Sequence, residues 1–190
     1  MADRDPAAVR AIAARCGCAI VAEQRTLFGG VALRLECPTQ QDKIDLLLEL
    51  GIYDGTRFPD CTQLARAIIS RVDADTAARL DAIMRWVQLH IGSVDEAQET
   101  FPSALQVLLD GLGDCDDHTL LVIALCTAVG LEVTCEAFGA ETPAHVAALG
   151  RLDDGSWAWM ETTIAGARLG EHPIDVCRRL GIAMRKDITG

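Results

Sequence analysis

The spacing of apolar positions changes once along the chain, and the change divides helices from strands. Residues 6–15 carry the pattern of a short helix. Between residues 18 and 37, the apolar stretches Ala19 to Ala22 and Val31 to Leu35 flank Gly29-Gly30, which allows a hairpin. From Thr39 the period is helical. Thr39 is placed to cap a helix carrying Ile44, Leu47 and Leu48, with Gly51 as its stop. A second helix is predicted over about 61–71. Asp75 or Thr76 then caps a longer one, whose Leu80, Ile83, Met84, Val87 and Ile91 follow the three-and-four spacing of a half-buried helix. Gly92 ends it, and Pro102 opens a further short helix through Leu109.

The segment GLGDCDDHTLLVIALCTAVG, from Gly111, is the most informative. Between Leu120 and Val129 only Thr127 is polar. A helix apolar on every side is buried on every side, so this one belongs at the centre of the molecule. Gly130 supplies a left-handed stop. After it the period falls to two. LEVTCEAFG is a strand candidate, and AHVAALGR and SWAWMETT are joined by Leu152-Asp153-Asp154-Gly155, a hairpin signal. A last helix is predicted over 173–180. Helices first, one buried helix, then antiparallel strands make an α+β layout.

Composition adjusts this picture only slightly. Half of the 190 residues are hydrophobic and 24% are charged, enough for a packed core. The net charge of -11 disfavours approach to nucleic acid or to an anionic membrane. The first residues lack the long apolar run of a signal peptide, and the longest apolar run is too short for a span. A cytoplasmic protein is the expectation. The eight cysteines show no zinc-ligand spacing, and apart from Cys115 they are expected to be reduced, buried small hydrophobes.

Cys115 is different because of where it falls. It sits at the first turn of the buried helix, where backbone N–H groups and the helix dipole favour a thiolate and can stabilise an oxyanion. Asp114 is placed as the N-cap. Asp116 and Asp117 suit a helix start, but their charge opposes a thiolate, so a cationic partner is required. His145 begins a strand after the helix, and Glu161 ends the next one. A two-residue loop at Asp154-Gly155 would put these two on opposite faces. A three-residue loop, Asp153-Asp154-Gly155 with Gly155 left-handed, pairs Ala147 with Glu161 and makes His145 a same-face neighbour, roughly 7–8 Å away at Cα. His118, one turn after Cys115, is a second candidate partner. A zinc site of Cys115, His118 and His145 is an arrangement of another class.

The string GDCDD before a buried helix resembles the nucleophile motif of the transglutaminase-like cysteine enzymes. His145-Val146 resembles their catalytic strand, WAWMETT resembles their W-x-x-x-D-x-T strand, and Arg85-Trp86-Val87 resembles the helix preceding the motif. The match covers about residues 79–165 and is especially similar to members encoded in phages and prophages. It implies a papain-like fold, with a catalytic domain over 76–190; residues 1–75, read as a mostly helical N-terminal extension, are left unexplained by it. It implies Cys115 as nucleophile, His145 as general base and acid, and Glu161 as the orienting acid. Trp86 and Gln88 are candidates for a second oxyanion donor, with Asp114 beside them as an oxyanion or substrate contact. The chemistry implied is thiol-dependent hydrolysis of peptide, isopeptide or other amide bonds, or acyl transfer to an amine, with no metal or organic cofactor and a protein or peptide as partner. The alternative is a catalytically silent binding or structural module, for instance in phage assembly. Two departures bear on the site: Glu161 stands where the family usually has Asp, and Ala147 where it often has a large residue.

Overall fold

The computed structural model describes residues 4–25, 31–94, 100–139 and 145–182. At its centre lies α6 (Cys115–Ala128), whose residues from Asp116 to Cys126 are all buried. Its even apolarity thus has the predicted consequence. Around it stand α2 (Gln40–Arg57), α3 (Pro59–Ile69), α4 (Thr76–His90) and α5 (Ala104–Asp110) on one side. On the other is the antiparallel sheet β5 (Val133–Phe138), β6 (His145–Arg151) and β7 (Trp157–Met160), in the order β5-β6-β7. The N-terminal α1 (Pro6–Arg15) packs on α2, and the hairpin β1 (Ala19–Arg25) with β2 (Val31–Glu36) packs on α1. The turn of that hairpin, with Gly29-Gly30, lies outside the described residues. A short parallel bridge joins β3 (Gly92–Ser93) to β4 (Leu112–Gly113), and α7 (Pro173–Leu180) closes the order.

Most helix ends follow local chemistry. Asp5, Thr39, Asp75, Ser103 and Asp114 each accept a hydrogen bond from a backbone N–H of the first turn. Gly51 does not stop α2, which runs on to Arg57. The physical reason lies across the interface. A Cβ on Gly51 would come within 2.7 Å of Ile123 Cγ2, and one on Gly55 would collide with the Ala124 carbonyl oxygen. Both glycines let α2 approach α6 closely. They serve packing and not termination.

The core does not break at residue 75. Ile12, Leu46, Leu47 and Leu50 belong to the same buried cluster as Leu80, Ile83, Leu120 and Ile123. Asp54, fully buried on α2, is held by Arg4 through Nε at 2.8 Å and Nη2 at 2.7 Å, and it also accepts the Ala104 N–H at 2.7 Å. The expectation of reduced cysteines fails for one pair. Cys18 and Cys37, at the two open ends of the β1–β2 hairpin, form a disulfide, while Cys16, Cys61, Cys126, Cys135 and Cys177 are free and buried. No helix among the described residues is long and apolar enough to cross a membrane.

Candidate active site

Three elements converge here: the first turn of α6, the start of β6 and the end of β7. The β6–β7 register pairs Ala148 with Met160, Leu149 with Trp159 and Arg151 with Trp157. Leu152 N–H donates to the Ser156 carbonyl, leaving Asp153-Asp154-Gly155 as the loop, with Gly155 at φ 83°. This is the three-residue loop that puts His145 and Glu161 on one face. Val146, Ala148 and Met160 point into the helical core, so the opposite face carries His145 and Ala147.

His145 and Glu161 meet directly. Imidazole Nε2 lies 2.7 Å from Glu161 Oε2. The other carboxylate oxygen, Oε1, accepts from Thr163 N–H at 2.6 Å, Thr163 Oγ1 at 2.7 Å and Ile164 N–H at 3.2 Å. Glu161 is 1% exposed. Burial alone would push its pKa up, but the hydrogen bonds and charge of His145 and the donors of Thr163 outweigh it, and the net shift is downward. The longer Glu side chain therefore reaches its partner. With Nε2–H directed at an anion, Nδ1 is the ring nitrogen left to act as an acceptor whenever the imidazole is uncharged.

Cys115 is brought to the residue next to His145. Arg151 N–H bonds Glu132 across on the β5 side. Alternation then turns the backbone groups of Val146, Ala148 and Gly150 toward β7. Because β7 stops at Met160, opposite Ala148, the groups of Val146 have no strand partner there. The start of α6 fills the gap: the Val146 N–H lies near enough to the Cys115 sulfur to favour its charged form, and Thr119 Oγ1 donates to the Val146 carbonyl at 3.2 Å.

The resting thiol is not the thiolate that its place on the helix suggests. Burial pushes the Cys115 pKa up to about 12, helped by the charges of Asp116 and Asp114, and the Val146 N–H opposes this only in part. The Sγ–H donates to Asp116 Oδ1 at 3.6 Å. The cation that answers Asp116 is Lys43 of α2, Nζ to Oδ2 3.3 Å, and not a histidine. Lys43 also forms part of the wall of a cavity of about 1190 Å³ between α1, the β1–β2 hairpin and the 100–103 segment.

Other candidates are placed elsewhere. Gln88 Nε2 donates to the carbonyls of Glu161 at 2.7 Å and Ala167 at 3.2 Å, so its amide braces the loop after β7 and is not free for an oxyanion. Trp86 stacks on His90 with ring centroids 4.4 Å apart. The Asp114 carboxylate accepts from the N–H groups of Asp116 and Asp117; it is a cap and donates nothing to an oxyanion. His118 is 1% exposed and neither ring nitrogen has a hydrogen-bond partner among the described residues. Burial lowers its pKa, although the Gly92 carbonyl lies near enough to oppose this.

Among the described residues one group could offer a metal three ligands: Asp114, Cys115 and Asp116, with ligand atoms within 4.8 Å of one another. Their carboxylates are already committed to the helix cap and to Lys43. His118 and His145 are not part of that group.

The model of the transglutaminase-like superfamily core matches residues 62–162, more than half of the chain. No curated protein matches. Among solved structures, a candidate cysteine protease from Cytophaga hutchinsonii is 22% identical, with a TM-score of 0.46 over 55% of this chain and 37% of that one. A candidate protease from Parabacteroides distasonis is 10% identical, with a TM-score of 0.48 over 77% of this chain and 30% of that one. A TGase is 12% identical, with a TM-score of 0.40 over 94% and 53%. The chain thus spans between 30% and 53% of the length of these proteins. The motif around Cys115, the strand of His145 and the strand that leads to Glu161 all lie inside the matched segment, and the chain belongs to the transglutaminase-like superfamily.

Proposed function

We propose that the protein is a thiol-dependent hydrolase of amide bonds, peptide or isopeptide, working through Cys115, His145 and Glu161. The observation that carries this is the 2.7 Å bond from His145 Nε2 to a buried, fully bonded carboxylate. It fixes one tautomer and leaves Nδ1 to act as a base. His145 Nδ1 takes the Sγ proton as the sulfur attacks the carbonyl carbon, and the carbonyl π electrons move to oxygen. Asp114 occupies the N–H groups of Asp116 and Asp117, so the N–H of Cys115 itself is the donor of that turn for the oxyanion. The imidazolium returns its proton to the leaving amine, the C–N bond breaks, and a thioester remains. Water, deprotonated by His145, releases the acid and restores the thiol. An amine in place of water gives transfer by the same steps. Residues 76–190 carry the chemistry in this reading. Residues 1–75 are a cap that supplies Lys43 to the site and one wall of the neighbouring cavity.

The test is incubation with p-nitrophenyl acetate followed by intact-mass and peptide mapping. The expected result is acetyl-Cys115 with continued nitrophenol release, both lost in Cys115→Ala and His145→Ala. A His145→Ala protein that acylates like the wild type defeats the reading.

One observation favours a second reading. The thiol is protonated at rest and tethered to Asp116, as suits a silent binding or structural module, for instance in phage assembly. In that case no acyl-Cys115 accumulates in any variant.

A further inference from the structure

His145 donates one hydrogen bond to Glu161, and one bond leaves a ring free to swing about it. The second restraint comes from across the strand. Phe138 is the direct β5 partner of His145 and shares its face. Its ring stands edge-on to the imidazole, with centroids 5.1 Å apart and planes at 77°. Phe138 is itself boxed in. Trp159 meets it edge-on at 5.7 Å, and the ring of His172 lies 5.1 Å away. Trp159 and His172 also touch each other, at 4.7 Å. His172 is in turn held at the start of α7, where Nδ1 accepts the Ile174 N–H at 3.2 Å. The next side chain on the His145 face, Ala147, is a methyl group and supplies no ring. Yet the His145 side chain is only 13% exposed.

We propose that Phe138 is a positioning residue for His145, a ring that limits the swing of the imidazole and keeps water off its bond to Glu161. This rests on the reading of His145 as the base at Cys115, and it names the group that orients that base from the side Glu161 does not reach. A charge-assisted hydrogen bond screened from water is stronger and exchanges its proton more slowly. The wall is aromatic, so it adds ring–ring geometry that an aliphatic side chain of similar size lacks.

The experiment uses the full chain with Phe138→Ala, Phe138→Leu and Phe138→Tyr. Proton NMR reads the downfield imidazole N–H of His145, assigned by its loss in His145→Ala. In the wild type this proton is expected to be visible. Its exchange with water should be at least tenfold faster in Phe138→Ala, intermediate in Phe138→Leu and near wild type in Phe138→Tyr. Labelling of Cys115 by iodoacetamide at pH 7 should fall about tenfold in Phe138→Ala, with the thermal transition retained. A wild type without this proton, or exchange in Phe138→Ala within twofold of wild type, overturns the proposal. Should the alanine variant not fold, equal exchange in the leucine and tyrosine variants overturns it. The exchange measurement does not depend on thiol chemistry. Labelling that ignores His145 in the wild-type background therefore defeats the hydrolase reading separately.

Discussion

Glu161 receives the His145 imidazole at 2.7 Å while its second oxygen is held by Thr163 and Ile164. The same bonds that orient the imidazole also keep a buried carboxylate charged, so this pair has a pH signature. The folded pKa of Glu161 lies below its ordinary value. Its contribution to stability is therefore present above the unfolded pKa, about 4.3, and is lost as pH falls through the folded value. Glu161→Gln should destabilise the protein by about 2 kcal/mol at pH 7. In urea titrations the gap to wild type should narrow below about pH 4. A gap that is constant with pH would mean the carboxylate is not charged in the fold.

Asp116 and Lys43 set the resting state of Cys115. Asp116 raises the thiol pKa by its charge and by accepting the Sγ–H, and Lys43 offsets that charge. Asp116→Asn should lower the thiol pKa and speed iodoacetamide labelling of Cys115 by about tenfold at pH 8. Lys43→Met leaves Asp116 without that counter-charge and should slow it. Changes in the opposite sense would remove Asp116 from control of the thiol.

Gly55 tests the contact that positions α6. In an exposed helix, Gly→Ala stabilises by about 1 kcal/mol. Here the added methyl meets the backbone carbonyl of Ala124, which cannot turn aside as a side chain can. Gly55→Ala should destabilise by about 2 kcal/mol in urea titration. Gly51→Ala, which meets the Ile123 side chain, should destabilise less.

These glycines also mark where the sequence stops being legible. Gly51 looks like a helix stop because a stop and a close approach are both written as glycine, and only the distant Ile123 distinguishes them. Caps such as Thr39 and Asp114 are readable because donor and acceptor lie within three residues of each other. The hairpin loop is readable only in part. Asp154-Gly155 marks the turn, but it allows a two-residue or a three-residue loop; the structure takes the three-residue one, whose register brings Glu161 to His145. Long-range pairings are not written locally. Nothing near Arg4 points to Asp54, nothing near Asp116 points to Lys43, and the spacing of eight cysteines does not single out Cys18 with Cys37. Gln88 was open to an oxyanion role because a helix face shows which way a residue can point. It does not show that carbonyls of a loop more than seventy residues later will take its amide. The thiolate expectation at Cys115 failed because burial, which the tertiary fold sets and the local sequence does not show, dominates the thiol; the adjacent Asp116 carboxylate, legible from the start, adds to it.

The most direct test of the account is the rate of Cys115 alkylation against pH in wild type and His145→Ala. Selectivity for Cys115 is not enough, because the five other free thiols are buried and Cys115 is half-buried. What decides is the dependence on His145. Without the imidazole, the thiol keeps the raised pKa of about 12 that burial and Asp116 impose. Labelling of His145→Ala should then climb about tenfold per pH unit from about pH 8 to pH 11, with no plateau. The wild type should label at least tenfold faster than this variant at about pH 7. Equal rates for the two proteins at that pH would contradict the assignment of His145 as the base that activates Cys115.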